Sequence, residues 1–251
     1  MCPADDRSRA WATHAIRAAC AAVSAPENAH WLRCGGTWFA GVNILPNDAE
    51  GRIGDGPPLD GPAMDLLRAM GLADVPLDRA QVSVVHPGYP RPRAGESDAT
   101  FRYRRDRDAA HVDGLLAIGA ARRRMAKETH AWILGLPLTA TDPGASPLVV
   151  WEGSQRMMAE AFRDALAPYP TEDWPDVDLT ETYHAARRRV FETCRRIPVH
   201  ARPGEAYLLH PLALHGVAPW EDGAQAPPEG RIVAYFRPDA GPAGLSAALR
   251  M

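Results

Sequence analysis

Apolar positions recur three and four apart over residues 6–24, where Trp11, Ala15, Ile16, Ala19 and Val23 share one face of a helix that stops before Pro26. The period then changes. Trp31–Leu45 is rich in aromatic and β-branched residues and predicts one or two short strands. Residues 51–62 are Gly-, Pro- and Asp-rich loop, and Met64–Met70 predicts a short helix ended at Gly71. Ala80–His86 alternates as a strand does and stops at Pro87-Gly88, followed by a second Pro/Gly-rich loop over 87–98. Phe101–Arg105 alternates aromatic with basic residues. That predicts a strand, with either one solvated face or an arginine-lined mouth for an anionic substrate.

The second half carries more apolar runs. His130–Leu138 is apolar on both faces and predicts a buried strand. A turn over Asp142–Ala145 separates it from Leu148–Trp151, closed by Gly153-Ser154. Strand, turn, strand at this spacing points to an antiparallel sandwich or barrel rather than to βαβ units. Residues 155–168 and 180–196 predict helices, the first with Met157, Met158 and Phe162 on one side, the second with Arg187–Arg189 on a solvated face. Strand pattern returns at Glu205–His210, is interrupted by Pro211, continues through Leu212–Val217, and ends with Arg231–Phe236. No repeat or linker appears. Residues 1–251 therefore read as a single domain, mainly β with flanking helices, with a helical insertion at roughly 155–196.

Composition narrows the function. With 46% hydrophobic and 24% charged residues the chain has enough apolar content for a sizeable core. A formal net charge of -3 argues against nucleic-acid or membrane-surface binding. Four cysteines (Cys2, Cys20, Cys34, Cys194) form no C-x-x-C pair and read as free thiols. The start has no basic-then-apolar pattern, and no apolar run approaches the ~20 residues of a bilayer span, so the expectation is a cytoplasmic protein.

The chemistry centres on His111-Val112-Asp113-Gly114. Residues two apart on a strand point to one face, so His-x-Asp aims an imidazole and a carboxylate at one point. That is two thirds of the 2-His-1-carboxylate set that suits non-haem Fe(II) and leaves positions open. Downstream follow Gly153-Ser154-Gln155, then Pro203-Gly204-Glu205, His210, His215-Gly216, and Arg231 opening an apolar strand. This ordered set resembles the phytanoyl-CoA dioxygenase-like branch of the Fe(II)/2-oxoglutarate oxygenases over roughly residues 79–238. Departures are Trp151-Glu152 before Gly-Ser, Gln155 where a His is common, and Val217 in place of a common Ser.

The resemblance implies a double-stranded β-helix (jelly roll, cupin-like) wrapped by helices. It implies His111, Asp113 and His215 as iron ligands and Arg231 as the grip on the distal carboxylate of 2-oxoglutarate. His210 competes with His215, but the family spacing and the room left by Gly216 favour His215. His86 and His130 read as core histidines, and Trp132, Trp151 and Tyr235 as core or pocket lining. The expected activity is a dioxygenase that hydroxylates a small molecule with O2 while 2-oxoglutarate becomes succinate and CO2. A carboxylate at position 113 favours hydroxylation over halogenation. The alternatives are a cupin-like metal enzyme that does not use 2-oxoglutarate, and a non-catalytic jelly-roll binding protein.

Overall fold

The computed structural model describes residues 1–241 and 243–250. In chain order its elements are α1 (Asp6–Ser24), β1 (Leu32–Arg33), β2 (Trp38–Gly41), α2 (Pro62–Ala69), β3 (Gln81–Val85), α3 (Asp98–Asp106), β4 (Leu115–Ile118), β5 (Arg123–Ala126) and β6 (Ile133–Pro137). There follow β7 (Leu148–Trp151), α4 (Ser154–Leu166), α5 (Thr180–Thr193), β8 (Arg196–Val199), β9 (Tyr207–Leu209), β10 (His215–Val217), β11 (Arg231–Phe236) and α6 (Gly244–Ala248). Among the described residues no helix is long and apolar enough to cross a membrane.

The strands build two facing sheets. One runs β1-β2-β3-β11-β6-β9 and the other β10-β7-β8, while β4 and β5 form a separate hairpin. A single bridge, His111 to His215, adds the His111 segment to the second sheet outside β10. Take β3, the His111 segment, β6, β7, β8, β9, β10 and β11 as first to eighth. One sheet then runs first, eighth, third, sixth, and the other second, seventh, fourth, fifth. Every pairing is antiparallel. That order is the jelly roll, two interleaved Greek keys.

Register decides what points inward. In β11, Arg231, Val233 and Tyr235 lie opposite Val85, Ser83 and Gln81 of β3, and Tyr235 lies opposite Gly135 of β6. Directly opposed residues share a face. These side chains, with Ile133, Leu148 and Tyr207, fill the space between the sheets. The alternate residues Ile232, Ala234 and Phe236 point outward into a core with α1, where Trp11 and Phe236 ring centroids are 5.8 Å apart. Helix α1 starts at a reciprocal cap: Ser8 N–H donates to the Asp5 carboxylate at 2.9 Å and Asp5 N–H to the Ser8 hydroxyl at 3.0 Å. On the other side Met158 and Phe162 of α4 and Val190 of α5 cover Val149 and Leu214 on the back of the second sheet.

Several expectations needed correction. Residues 101–105 are not a strand but the middle of α3. Ser97 caps it by accepting Thr100 N–H, and its side chains dock sideways: the Tyr103 hydroxyl donates to the Ala110 carbonyl at 2.6 Å, and Arg104 ion-pairs with buried Glu96 at 2.5 Å. Arg104 therefore lines no mouth. The helix expected over 180–196 ends at Thr193, and Arg196–Val199 is β8, held by β7. Leu212–Val217 does not continue β9, because β9 pairs with β6 in one sheet and β10 with β7 in the other. Finally, His111 lies not in a regular strand but at a single bridge.

Candidate metal centre

The His111 segment is shaped by its backbone. Asp108 and Ala109 both adopt left-handed conformations, φ +54° and +52°. Each costs about 1–3 kcal/mol for a residue with a Cβ, so something must hold them. Arg196 of β8 donates twice to the buried Asp108 carboxylate, at 2.7 and 2.8 Å, and the Asp108 carbonyl accepts Val217 N–H at 2.9 Å. Gly216 makes that approach possible, since a Cβ there would lie 2.1 Å from the Asp108 carbonyl oxygen. After Asp113 the chain turns at Gly114, φ +76°, where a Cβ would meet the Glu128 carbonyl at 2.1 Å.

The turn sets the imidazoles. His111 Nδ1 lies 3.0 Å from the Ala109 carbonyl, and His215 Nδ1 lies 3.0 Å from the Ala213 carbonyl. A carbonyl only accepts, so each Nδ1 carries the proton and each Nε2 presents a lone pair. Those two Nε2 atoms converge on Asp113 Oδ1, at 3.2 Å from His111 and 3.7 Å from His215. The three ligand atoms all lie within 4.8 Å of one another. Adjacent ligands ~2.1 Å from one ion sit about 3 Å apart, so the donor set fits a divalent transition metal.

Charge is balanced around Asp113. Burial pushes its carboxyl up, but the His215 and His111 imidazoles and the Arg237 guanidinium outweigh that and hold it well below the usual carboxylate range. Burial lowers His215, more than nearby Asp113 raises it. Burial lowers His111 too, but the hydrogen bond its protonated ring makes to Asp113, the Asp113 charge and the Ala109 carbonyl together outweigh that, so it is raised. Arg237 Nη1 lies 3.4 Å from Asp113 Oδ2, and its Nη2 donates to Gln81 Oε1 at 2.9 Å.

The cluster lines a cavity of about 250 Å³ that reaches between the sheets to Ser83, Ile133, Leu148 and Tyr235, with Trp31, Arg33 and Trp38 at its edge. Arg231 is not among its lining residues. It is 7% exposed, its Nη1 has no partner among the described residues, and it borders a separate small void with Thr139, Thr141 and Tyr207. Tyr207 donates to the Tyr235 hydroxyl at 2.8 Å, so this hydroxyl pair stands between void and cavity. His210 is also outside the cluster: its Nδ1 accepts Leu212 N–H at 3.0 Å and it borders a hollow beside α4. His86 and His130 are not in the cluster either.

Sequence reading missed Arg237, Gln81 and the Asp108–Arg196 clamp. A signal for the first two existed in strand parity. Positions 231, 233, 235 and 237 share the inward face of the last strand, and Gln81 shares it with Ser83. Nothing in the sequence joins Asp108 to Arg196.

No family model matches the chain, the phytanoyl-CoA dioxygenase family included, and no curated protein matches it. Among solved structures it is similar to EvdMO1, at 16% identity and a TM-score of 0.36, over 80% of this chain and 35% of that one. It is also similar to the non-heme alpha-ketoglutarate-dependent carbocyclase SnoK from nogalamycin biosynthesis, at 18% identity and a TM-score of 0.36, over 71% of this chain and 60% of that one. The chain thus spans 35% and 60% of the lengths of these two proteins. The overlap is too loose to transfer a residue or an activity. The jelly roll rests on the strand order, and the cluster on its own geometry.

Proposed function

We propose that the protein is a non-haem Fe(II)/2-oxoglutarate-dependent oxygenase that hydroxylates a small molecule. The observation that carries this reading is the convergence of His111 Nε2, His215 Nε2 and Asp113 Oδ1 at one end of a jelly-roll interior. When bound, Fe(II) would supply the activation of O2 that hydroxylation requires, with 2-oxoglutarate as the source of electrons. The chain's own residues do the rest. The bonds from each Nδ1–H to a carbonyl fix both tautomers, which keeps the Nε2 lone pairs on target. Arg237 restrains the second oxygen of Asp113. Between the sheets, Ile133, Leu148 and Val233 keep water out.

Arg231 supports the cosubstrate. A buried guanidinium with an unpaired Nη1 calls for an anion, and its planar fork suits a carboxylate. Tyr207 and Tyr235 offer hydroxyls beside it. Admitting a carboxylate from the cavity requires the Tyr207–Tyr235 contact to open. That same closed contact favours a second reading, a cupin-like metal enzyme that does not use 2-oxoglutarate.

An anaerobic titration of metal-free protein with Fe(II) and then 2-oxoglutarate separates the two. The expected result is a visible metal-to-ligand charge-transfer band. His215→Ala should abolish it, His210→Ala should keep it, and Arg231→Ala should require at least tenfold more cosubstrate. Bound iron with no band would select the cupin-like reading, and no bound iron would leave a binding protein.

A further inference from the structure

The cluster's cavity has a larger neighbour. A cleft of about 760 Å³ opens beside it, and Val42 and Arg237 line both. Arg237 commits Nη1 to Asp113 and Nη2 to Gln81, but its Nε is buried without a partner among the described residues. His130 lines the same cleft. Its Nδ1–H donates to the Arg237 carbonyl at 3.0 Å, while its Nε2 is buried with no hydrogen-bond partner among the described residues, 3.6 Å from the Glu128 carboxylate. The cleft wall therefore holds an unpaired donor and, in the neutral imidazole, an unpaired acceptor. Leaving such buried atoms unpaired costs about 1–3 kcal/mol each, which a ligand recovers when the two side chains turn toward it.

The pairing selects the ligand. A hydroxyl both donates and accepts, so it satisfies Arg237 and His130 alike. A carboxylate or phosphate only accepts. It would also meet Asp78, Glu128 and Asp239 in the same lining, opposed only by Arg237, already on Asp113, and Lys127, already paired with Asp176. Trp174, Pro175, Leu116 and Leu245 give the wall an apolar side, while uncharged Asn43, Thr129 and Thr171 add polar groups that suit hydroxyls. Trp174 has its indole N–H committed to the Tyr169 carbonyl at 3.1 Å, which leaves the ring face for stacking. We propose that this cleft binds the substrate, and that the substrate is a neutral hydroxylated ring with one apolar face. The ring lies against Trp174, and its hydroxyls pair with His130 and, at the wall shared with the metal cavity, with Arg237, both of which turn toward it on binding.

That the ligand is a substrate rests on the oxygenase reading; that it binds does not, since binding needs no iron. The test is saturation-transfer NMR on metal-free full-length protein. Methyl β-D-glucopyranoside serves as a neutral hydroxylated ring, and glucuronate as the same ring with a carboxylate. Transfer to the glucoside is expected, falling at least fivefold in Trp174→Ala and in His130→Phe, and weaker for glucuronate. Trp174 is only half-buried on a short turn, and an unchanged melting midpoint in its variant rules out unfolding. No transfer, equal transfer to glucuronate, or no effect of Trp174→Ala would overturn the proposal. Glucoside binding without an iron–2-oxoglutarate band would support the cleft while sinking the oxygenase reading. A band without ring binding would overturn the cleft alone.

Discussion

Away from the cluster, Glu96 and Arg104 form a buried ion pair. Both side chains are nearly buried and their contact is two-pronged, Nε to Oε1 at 2.8 Å and Nη2 to Oε2 at 2.5 Å. The Arg104 guanidinium holds the Glu96 carboxyl down to about 2, against the opposing effect of burial. A carboxyl depressed in the folded state adds stability above its ordinary value near 4.5, and that stability is lost as pH falls through the folded value. The native protein should therefore lose this increment between about pH 5 and pH 2, a loss that Glu96→Gln should not show over the same range. At pH 7 the variant should be less stable by about 3 kcal/mol, the low end for breaking a buried pair. Urea midpoints of both proteins across that pH range measure it, and parallel curves would show that the pair carries no linkage. The pair also explains why alternation misled at 101–105: Phe101 and Tyr103 alternate with arginines, but the partners that settle the conformation, Ser97, Glu96 and Ala110, lie outside the run.

At the scale of elements, the site depends on two short segments lying closer than side chains ordinarily permit. β10 and the Asp108–His111 segment approach through Gly216, whose φ is unremarkable; space, not conformation, demands glycine. Gly216→Ala should force the segments apart, break the His111–His215 bridge and weaken Fe(II) binding at least tenfold. Val217→Ala next to it should leave Fe(II) binding within about twofold. Equilibrium dialysis of iron against both variants tests this, and tight binding by Gly216→Ala would show that the bridge does not position the ligands. Such contacts mark where sequence stops being legible. His111 and Asp113 are two residues apart and readable as a pair, and His215 follows from the order of motifs and the glycine after it. The clamp that sets His111, Asp108 on Arg196, joins residues 88 apart with no shared period. Long strands such as β3, β6 and β11 show in the pattern because five or six positions suffice to reveal burial on one or both faces. β4, β5 and β8 are four residues each with mixed burial, too short for a period to show.

Across the whole molecule, the two sheets rest on different helical layers, and only one of those layers backs the cluster. Trp11 of α1 is fully buried behind the first sheet and donates its indole N–H to the Gly51 carbonyl at 2.7 Å. Phe162 of α4, also buried, borders a small void with Val112, Asp113 and Gly114, and so supports the ligand segment from behind. Truncating either to alanine should cost about 3–5 kcal/mol. For a chain of this size each should lower the melting midpoint by roughly 10 °C. The effects on metal should diverge. Trp11→Ala loosens a layer that packs on the back of the first sheet, on β2 and β6 as well as β3 and β11, so its Fe(II) dissociation constant should stay within about twofold. Phe162→Ala lets the 112–114 segment relax, and Fe(II) should bind at least fivefold more weakly at a temperature where both variants remain folded. Equal weakening in the two would mean that the jelly roll responds as one body. Unchanged binding in both would mean that the clamp of Arg196 on Asp108, rather than the helical layer, holds the ligand segment in place.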